Sequence, residues 1–238
     1  MYSQEKFKKF LFFDIETCGR HSKLEDADPA FMETFVKKSS RLANGKNWTG
    51  NAYEDYLSNV SLFPEFGRIA CLSYGVWKGP GEFVIASISD ENEVDLLKKA
   101  ANLFHKAGGS GMIPTGWNIK NFDVAWLVRR MLMNGIQVPD CLSSYEKKPW
   151  EMGVFDLKDF WKSGSTLDIN FEEAAFSMGI PTPKDDIDGS QVHHTYWSGG
   201  LSRVVTYCEK DVKTMILLME KIYGIYHPET IQTNVFDA

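Results

Sequence analysis

The chain has 238 residues, 43% of them hydrophobic and 24% charged, with a net charge of −6. This is ordinary for a soluble globular protein of one generous domain or two small ones. No apolar run is long enough to span a membrane, and the acidic balance argues against a scaffold that coats duplex nucleic acid, which carries a basic surface.

The first expected strand covers residues 10–15, and it carries the most informative residues of the chain. In the run Phe12, Phe13, Asp14, Ile15, Glu16, Thr17, two carboxylates close an apolar segment. Strand side chains alternate faces, so Leu11, Phe13 and Ile15 share one face and Phe12, Asp14 and Glu16 the other. Two acids side by side repel each other unless a cation sits between them. A hard divalent cation such as Mg²⁺ fits, because it prefers carboxylate oxygens; the plain alternative is a solvated strand end. The lysine-bearing, apolar start of the chain imitates a secretory signal. It is too short, runs into Asp14 and lacks a small-residue cleavage site, so a cytoplasmic protein is expected. The segment 20–62 is polar with scattered aromatics. It reads as an insertion into a single domain, partly helical near 29–38 and lying over the active-site end, or else as a mobile surface loop.

Strands are next expected at 68–77 and 82–88, joined by the turn Lys78, Gly79, Pro80, Gly81. Ser89 or Asp90 is a candidate cap for a helix through Leu96, Ala100 and Leu103 that ends at Gly108 and Gly109. Residues 112–117 read as a short strand. A helical pattern in Phe122, Leu127, Met131 and Leu132 follows, with Asn118 or Asn121 as candidate N-cap. Asp123 then lies in the first turn, where an acid stabilises the helix dipole by ~0.3–1 kcal/mol with no further role required. A fifth strand is expected at 154–157 and a helix at 171–178, stopped by Gly179 and Pro181. A loop is expected over 183–200. The last helix, 202–223, has Val204, Tyr207, Cys208, Asp211, Met215, Leu218 and Ile222 on one stripe. Asp211 on that stripe is costly unless it is ion-paired or bound to a metal, and a metal is favoured because other acids compete for one. Tyr207 lies one turn away on the same side.

The order Asp-x-Glu, Asn-x-x-x-Phe-Asp, Tyr-x-x-x-Asp resembles the DEDD superfamily of 3′–5′ exonucleases in its tyrosine-bearing subclass. Asp14 and Glu16 match the first motif, Asp123 the second, Tyr207 and Asp211 the third. No His-x-x-x-x-Asp pattern leads to Asp211, against the histidine-bearing subclass. Further runs carry the likeness: Pro64 to Ile69 as Pro-Glu-Phe-Gly-Arg-Ile, Met178, Gly179, Ile180, Pro181, then Asp186, Ile187, Asp188, Gly189, Ser190, Gln191, Val192. They are similar to the predicted exonucleases related to the proofreading domain of family-B DNA polymerases, over nearly the whole chain.

The resemblance implies an α/β fold, a ribonuclease H-like mixed sheet flanked by helices. It implies two divalent cations, Mg²⁺ or Mn²⁺: Asp14 bridging them, Glu16 and Asp211 completing one site, Asp123 holding the other. Tyr207 would orient the attacking water, since a phenol with a pKa near ~10 is a poor base. The expected substrate is a single-stranded 3′ end, DNA favoured and RNA possible, released as 5′-mononucleotides, with replication or repair proteins as possible partners. Proofreading would have to occur in trans.

Candidate substrate contacts are Trp117, Asn118, Phe122 and Ser190. Aromatics stacked on bases contribute ~1–3 kcal/mol each, but Trp117, Phe63 and Phe66 each read first as core. Ser190 belongs to Asp188, Gly189, Ser190, first a turn and second a substrate contact. Arg129 and Arg130 could meet phosphate, but on a helix they are expected in solvent. His193 and His194, adjacent and so divergent in a strand, make a poor ligand pair. Cys18, Cys71, Cys141 and Cys208 include no Cys-x-x-Cys, which excludes a local zinc knuckle and fits a reducing compartment. Two other readings stand beside the nuclease. A haloacid-dehalogenase-like phosphatase shares the acid-x-acid-x-Thr run but needs Asp where Glu16 stands. A non-catalytic replication or repair subunit on the same fold would not need all four acids.

Overall fold

Alternation in the first strand sorts side chains onto two cores. The computed structural model describes residues 4–148, 151–181 and 186–225, and the backbone of 232–235. Strand β1 (Phe10–Gly19) sits centrally in a six-stranded sheet ordered β5-β4-β1-β2-β3-β6. Its partners are β2 (Gly67–Gly79), antiparallel, and β4 (Ile113–Gly116), parallel. β3 (Glu82–Ser89) extends the antiparallel side, and β5 (Phe155–Asp156) and β6 (Gln232–Val235) close the edges, each parallel to its neighbour. Leu11, Phe13 and Ile15 pack with α4 (Glu93–Gly109) and α5 (Asp123–Met133) on one face. Phe10 and Phe12 pack on the other with α9 (Leu201–Tyr223), α6 (Leu157–Lys162) and α7 (Phe171–Ser177). The architecture is α/β, a mixed sheet flanked by helices.

Several expectations need correction. β1 does not end at the acids; it continues through a bulge after Glu16 to Gly19, because β2 keeps pairing with it there. The cap of α4 is Asn92, whose side chain accepts from Val94 N–H; Ser89 belongs to β3. Neither Asn118 nor Asn121 caps α5, where Phe122 holds the cap position without a side-chain bond. Leu132 is exposed, not part of the buried face. Arg130 is buried, its guanidinium paired with Glu93 and donating to Pro64 O at 2.9 Å, whereas Arg129 is exposed beside Glu65. The expected loop before α9 contains a 3-10 turn (Gly189–Gln191) and α8 (Val192–Trp197); residues 183–185 lie outside the described residues. A short α1 (Gln4–Phe7) also precedes β1.

The 20–62 segment is packed structure, not a bare loop. It holds α2 (Pro29–Leu42), begun by Asp28 accepting from Phe31 N–H, and α3 (Ala52–Asn59). Phe35 and Tyr56 are fully buried against Leu24, Val60 and Phe66. Buried Asp55 accepts from Ser39 Oγ and from the N–H groups of Thr49 and Gly50, which ties the two helices and their connection together. Phe66 belongs to this separate core, and Phe63 packs against it.

Candidate active site

The acids meet because β4 is shorter than β1. Pairing with β4 stops at Phe12, so the N–H of Ile15 has no strand partner on that side. Asp123, first residue of α5 and 2% exposed, takes its place: its Oδ1 accepts from Ile15 N–H at 3.1 Å. Gly116 permits the approach, since a Cβ there would stand 2.6 Å from Phe13 O and clash with Ile119.

A residue that sequence reasoning missed sets the turn before Asp123. Asp156 is 3% exposed, and its carboxylate accepts from the N–H groups of Asn118, Lys120, Lys158 and Asp159. That holds Asn118 in a left-handed conformation, φ 60°. In the sequence Asp156 falls inside the strand expected at 154–157, whereas the strand is Phe155–Asp156 and Asp156 is also the N-cap of α6. Asp156→Ala should cost about 2–4 kcal/mol, because buried amides lose a charged acceptor. It should also lower activity by letting Asp123 drift. Urea unfolding and turnover measured on the same variant check both.

From the opposite face, α9 brings Tyr207 and Asp211. The fully buried stripe runs through Val204, Cys208, Val212 and Met215, so Tyr207 and Asp211 are half-buried beside it rather than on it. Cys208, the second missed residue, fixes the approach: its Sγ–H lies 3.4 Å from both Asp14 O and Asp14 Oδ2. An oxygen of Asp14, an oxygen of Glu16 and Cys208 Sγ all lie within 4.8 Å of one another. Glu16 is 8% exposed; opposite it on β2 is Cys71.

The electrostatics of Asp14, Glu16 and Asp123 are those of buried acids crowded by other acids. Burial pushes Asp14 well above the usual carboxylate range, and the charges of Asp123 and Asp211 push it further. Burial and Asp14 do the same to Glu16. Asp123 is pushed up to about 7, by burial first, although the Ile15 N–H pulls the other way. The carboxyls acting most on Asp14, Glu16 and Asp123 are one another, Asp211 and Asp156. Burial, then Asp211 and Glu16, push the Tyr207 phenol upward, so it keeps its proton at neutral pH. A set of carboxylate oxygens crowded together suits hard divalent cations, Mg²⁺ or Mn²⁺.

A cavity of about 260 Å³ opens beside Tyr207 and Asp211, walled also by Asn170, Phe171 and Glu172. Of the expected substrate residues, Trp117 reaches it indirectly, with its ring 5.3 Å from that of Phe171. Asn118 is half-buried and accepts from Asn121 Nδ2. Phe122 packs on Trp126 at 6.1 Å. Ser190 lies elsewhere, in the wall of another cavity with His193 and His194. Those histidines are on a helix, not a strand.

A mixed sheet with acids at its centre and helices on both faces is the ribonuclease H-like fold of polymerase exonuclease domains. The chain is similar to the family B DNA polymerase from the hyperthermophilic archaeon Pyrobaculum calidifontis, with a TM-score of 0.57 and 16% identity. The likeness covers 90% of this chain and 24% of the polymerase, and at that identity it is one of fold. No protein of curated function matches the chain. It belongs to the family described as "Predicted 3'-5' exonuclease related to the exonuclease domain of PolB", which matches residues 62–231. Asp123, Tyr207 and Asp211 lie inside that match; Asp14 and Glu16 lie before it.

Proposed function

We propose that the protein is a metal-dependent 3′–5′ exonuclease acting on single-stranded nucleic acid, DNA in preference to RNA, and releasing 5′-mononucleotides. The observation that carries this is the convergence of Asp14, Glu16, Asp123 and Asp211 from β1, α5 and α9, with the first three held above the ordinary carboxylate range by burial and by the neighbouring acids. Those four carboxylates would hold two divalent cations, Mg²⁺ or Mn²⁺. When bound, the pair supplies charge neutralisation for the attacking and leaving oxygens of an in-line displacement.

The protein's own groups position the reactants. Tyr207, protonated, donates a hydrogen bond that orients the attacking water. The cavity of Asn170 and Phe171 beside it receives the terminal nucleotide, whose base the Phe171 and Trp117 rings flank. Asp156 holds the turn that carries Asp123, and Cys208 pins α9 to β1. Water attacks phosphorus and gives up a proton to solvent, the bond to the 3′ oxygen breaks, and that oxygen takes up a proton from solvent; no covalent enzyme intermediate forms.

Tyr207→Phe should therefore keep cation binding, because the ring still fills its place, while turnover falls about 10²-fold. Isothermal titration with Mn²⁺ alongside single-turnover kinetics tests this, and wild-type rates would reduce Tyr207 to packing. The reading itself is tested by digesting matched DNA and RNA oligonucleotides in Mg²⁺ and Mn²⁺. Nucleotide monophosphates are the expected products, and inorganic phosphate would point to the phosphatase chemistry.

A further inference from the structure

We propose that the cavity between the 20–62 segment and α8 is a subsite for the stretch of single strand that leads up to the scissile nucleotide. This rests on the exonuclease reading above. The cavity has a volume of about 500 Å³, and Lys23, Leu57, His194 and Trp197 contribute to its walls.

Its location ties it to the acids. The same strand that bears Asp14 and Glu16 ends at Gly19, which is bonded to two residues of the wall, His193 and Trp197; Gly19 is three residues past Glu16, about 10 Å at the rise of a strand. Gly19 is a junction: its N–H donates to His193 Nδ1 at 2.9 Å, and its carbonyl accepts from Trp197 Nε1 at 3.0 Å. A Cβ on Gly19 would stand 2.8 Å from His193 and Val60 and 2.9 Å from the Tyr56 hydroxyl. His193 Nε2 in turn bonds to Ser22 O at 3.0 Å. The 20–62 segment, β1 and α8 are thus clamped together, and the wall is formed in advance of any ligand.

Its chemistry suits a nucleotide strand. In a chain of net charge −6, this cavity has no carboxylate among the described residues that line it. Three other cavities all have acids in theirs: Asp140 and Glu151, Glu172 and Glu173, and Glu172 and Asp211. Asp26 and Asp188 come near the rim, and each accepts a hydrogen bond from a lining serine, Ser22 and Ser190. Trp197 is 40% exposed and Leu57 51%. With its N–H used by Gly19, Trp197 offers the strand a ring in a fixed orientation. Base stacking on such a ring is tolerant of sequence, and Lys23 supplies a cation for a phosphate. Ser190, expected at the substrate from sequence, would then meet it here rather than at the acids.

The test compares wild type with Lys23→Glu, Trp197→Ala and Trp197→Phe. A single-stranded oligodeoxynucleotide long enough to cross the cavity is set against a dinucleotide that cannot reach it. Binding of the labelled oligonucleotide is measured by fluorescence anisotropy in Ca²⁺, and KM for both substrates in Mg²⁺. Lys23→Glu and Trp197→Ala should each weaken oligonucleotide binding about tenfold or more and raise the long-to-short KM ratio by a similar factor. Trp197→Phe, which keeps a stacking ring, should recover most of the loss. Unchanged anisotropy in Lys23→Glu and Trp197→Ala overturns the subsite. So does an equal loss on both substrates, which would mark these residues as structural. If wild type hydrolyses neither substrate, the exonuclease reading fails, and anisotropy still decides whether the cavity holds a strand.

Discussion

Asp14→Ala is expected to lower turnover by about 10³-fold or more and to leave the fold at least as stable as before. The loss follows from the place of Asp14 among the acids: burial, Asp123 and Asp211 all act on its carboxyl. A cation pair contributes several kcal/mol to phosphodiester cleavage, and each 1.36 kcal/mol is tenfold in rate. The gain in stability has the same origin. Without cations, the carboxylate is a repelled and desolvated charge, and removing it relieves Glu16, which burial and Asp14 push upward. Cys208 loses Asp14 Oδ2 as an acceptor but keeps Asp14 O. Thermal unfolding in EDTA and turnover in Mg²⁺, measured side by side, check both halves. Wild-type cleavage by this variant would remove the acids from the chemistry.

The second large effect is on the pH dependence of stability in EDTA. A carboxyl whose folded pKa lies above its unfolded value holds its proton more tightly in the folded state. Its contribution is fully present below the unfolded pKa and is lost as pH rises through the folded one. For Asp123 that window runs from its ordinary 3.8 to about 7. Asp14 and Glu16, also raised well above their ordinary range, add to the loss in the same direction. The cation-free protein should therefore lose about 5–10 °C in Tm between mildly acidic and neutral pH. Mg²⁺ or Mn²⁺ should restore it by binding the ionised acids, and Asp123→Asn should flatten the profile. Scanning calorimetry across pH, with and without Mn²⁺, measures this; a Tm that rises with pH in EDTA by the same amount in wild type and Asp123→Asn would contradict it.

The parts of the site legible in the sequence are those set by local periodicity. Alternation alone put Asp14 and Glu16 on one face of β1, and helical spacing put Tyr207 and Asp211 one turn apart. What was not legible depends on contacts between distant residues. Cys208 meets Asp14 across 194 positions and His193 meets Gly19 across 174, and neither pairing leaves a periodic trace. Asp156 works through backbone amides, which have no sequence identity to read. The aromatics of the 20–62 segment looked scattered because Phe35 and Tyr56 lie on different helices and make one core only when these pack, 5.1 Å apart at the ring centroids. The termination of β1 was misplaced because two acids look like a strand end, while the pairing that carries the strand to Gly19 comes from β2.

Polarity and product together test the central claim most directly. A 5′-labelled single-stranded oligodeoxynucleotide is incubated with the protein in Mn²⁺, sampled over time on a sequencing gel, and the released material is identified by chromatography. A ladder of labelled fragments shortening from the 3′ end, with 5′-mononucleotides as product and no cleavage in EDTA, is the predicted result. Label released first as a mononucleotide, release of inorganic phosphate alone, or cleavage that persists in EDTA would contradict the assignment.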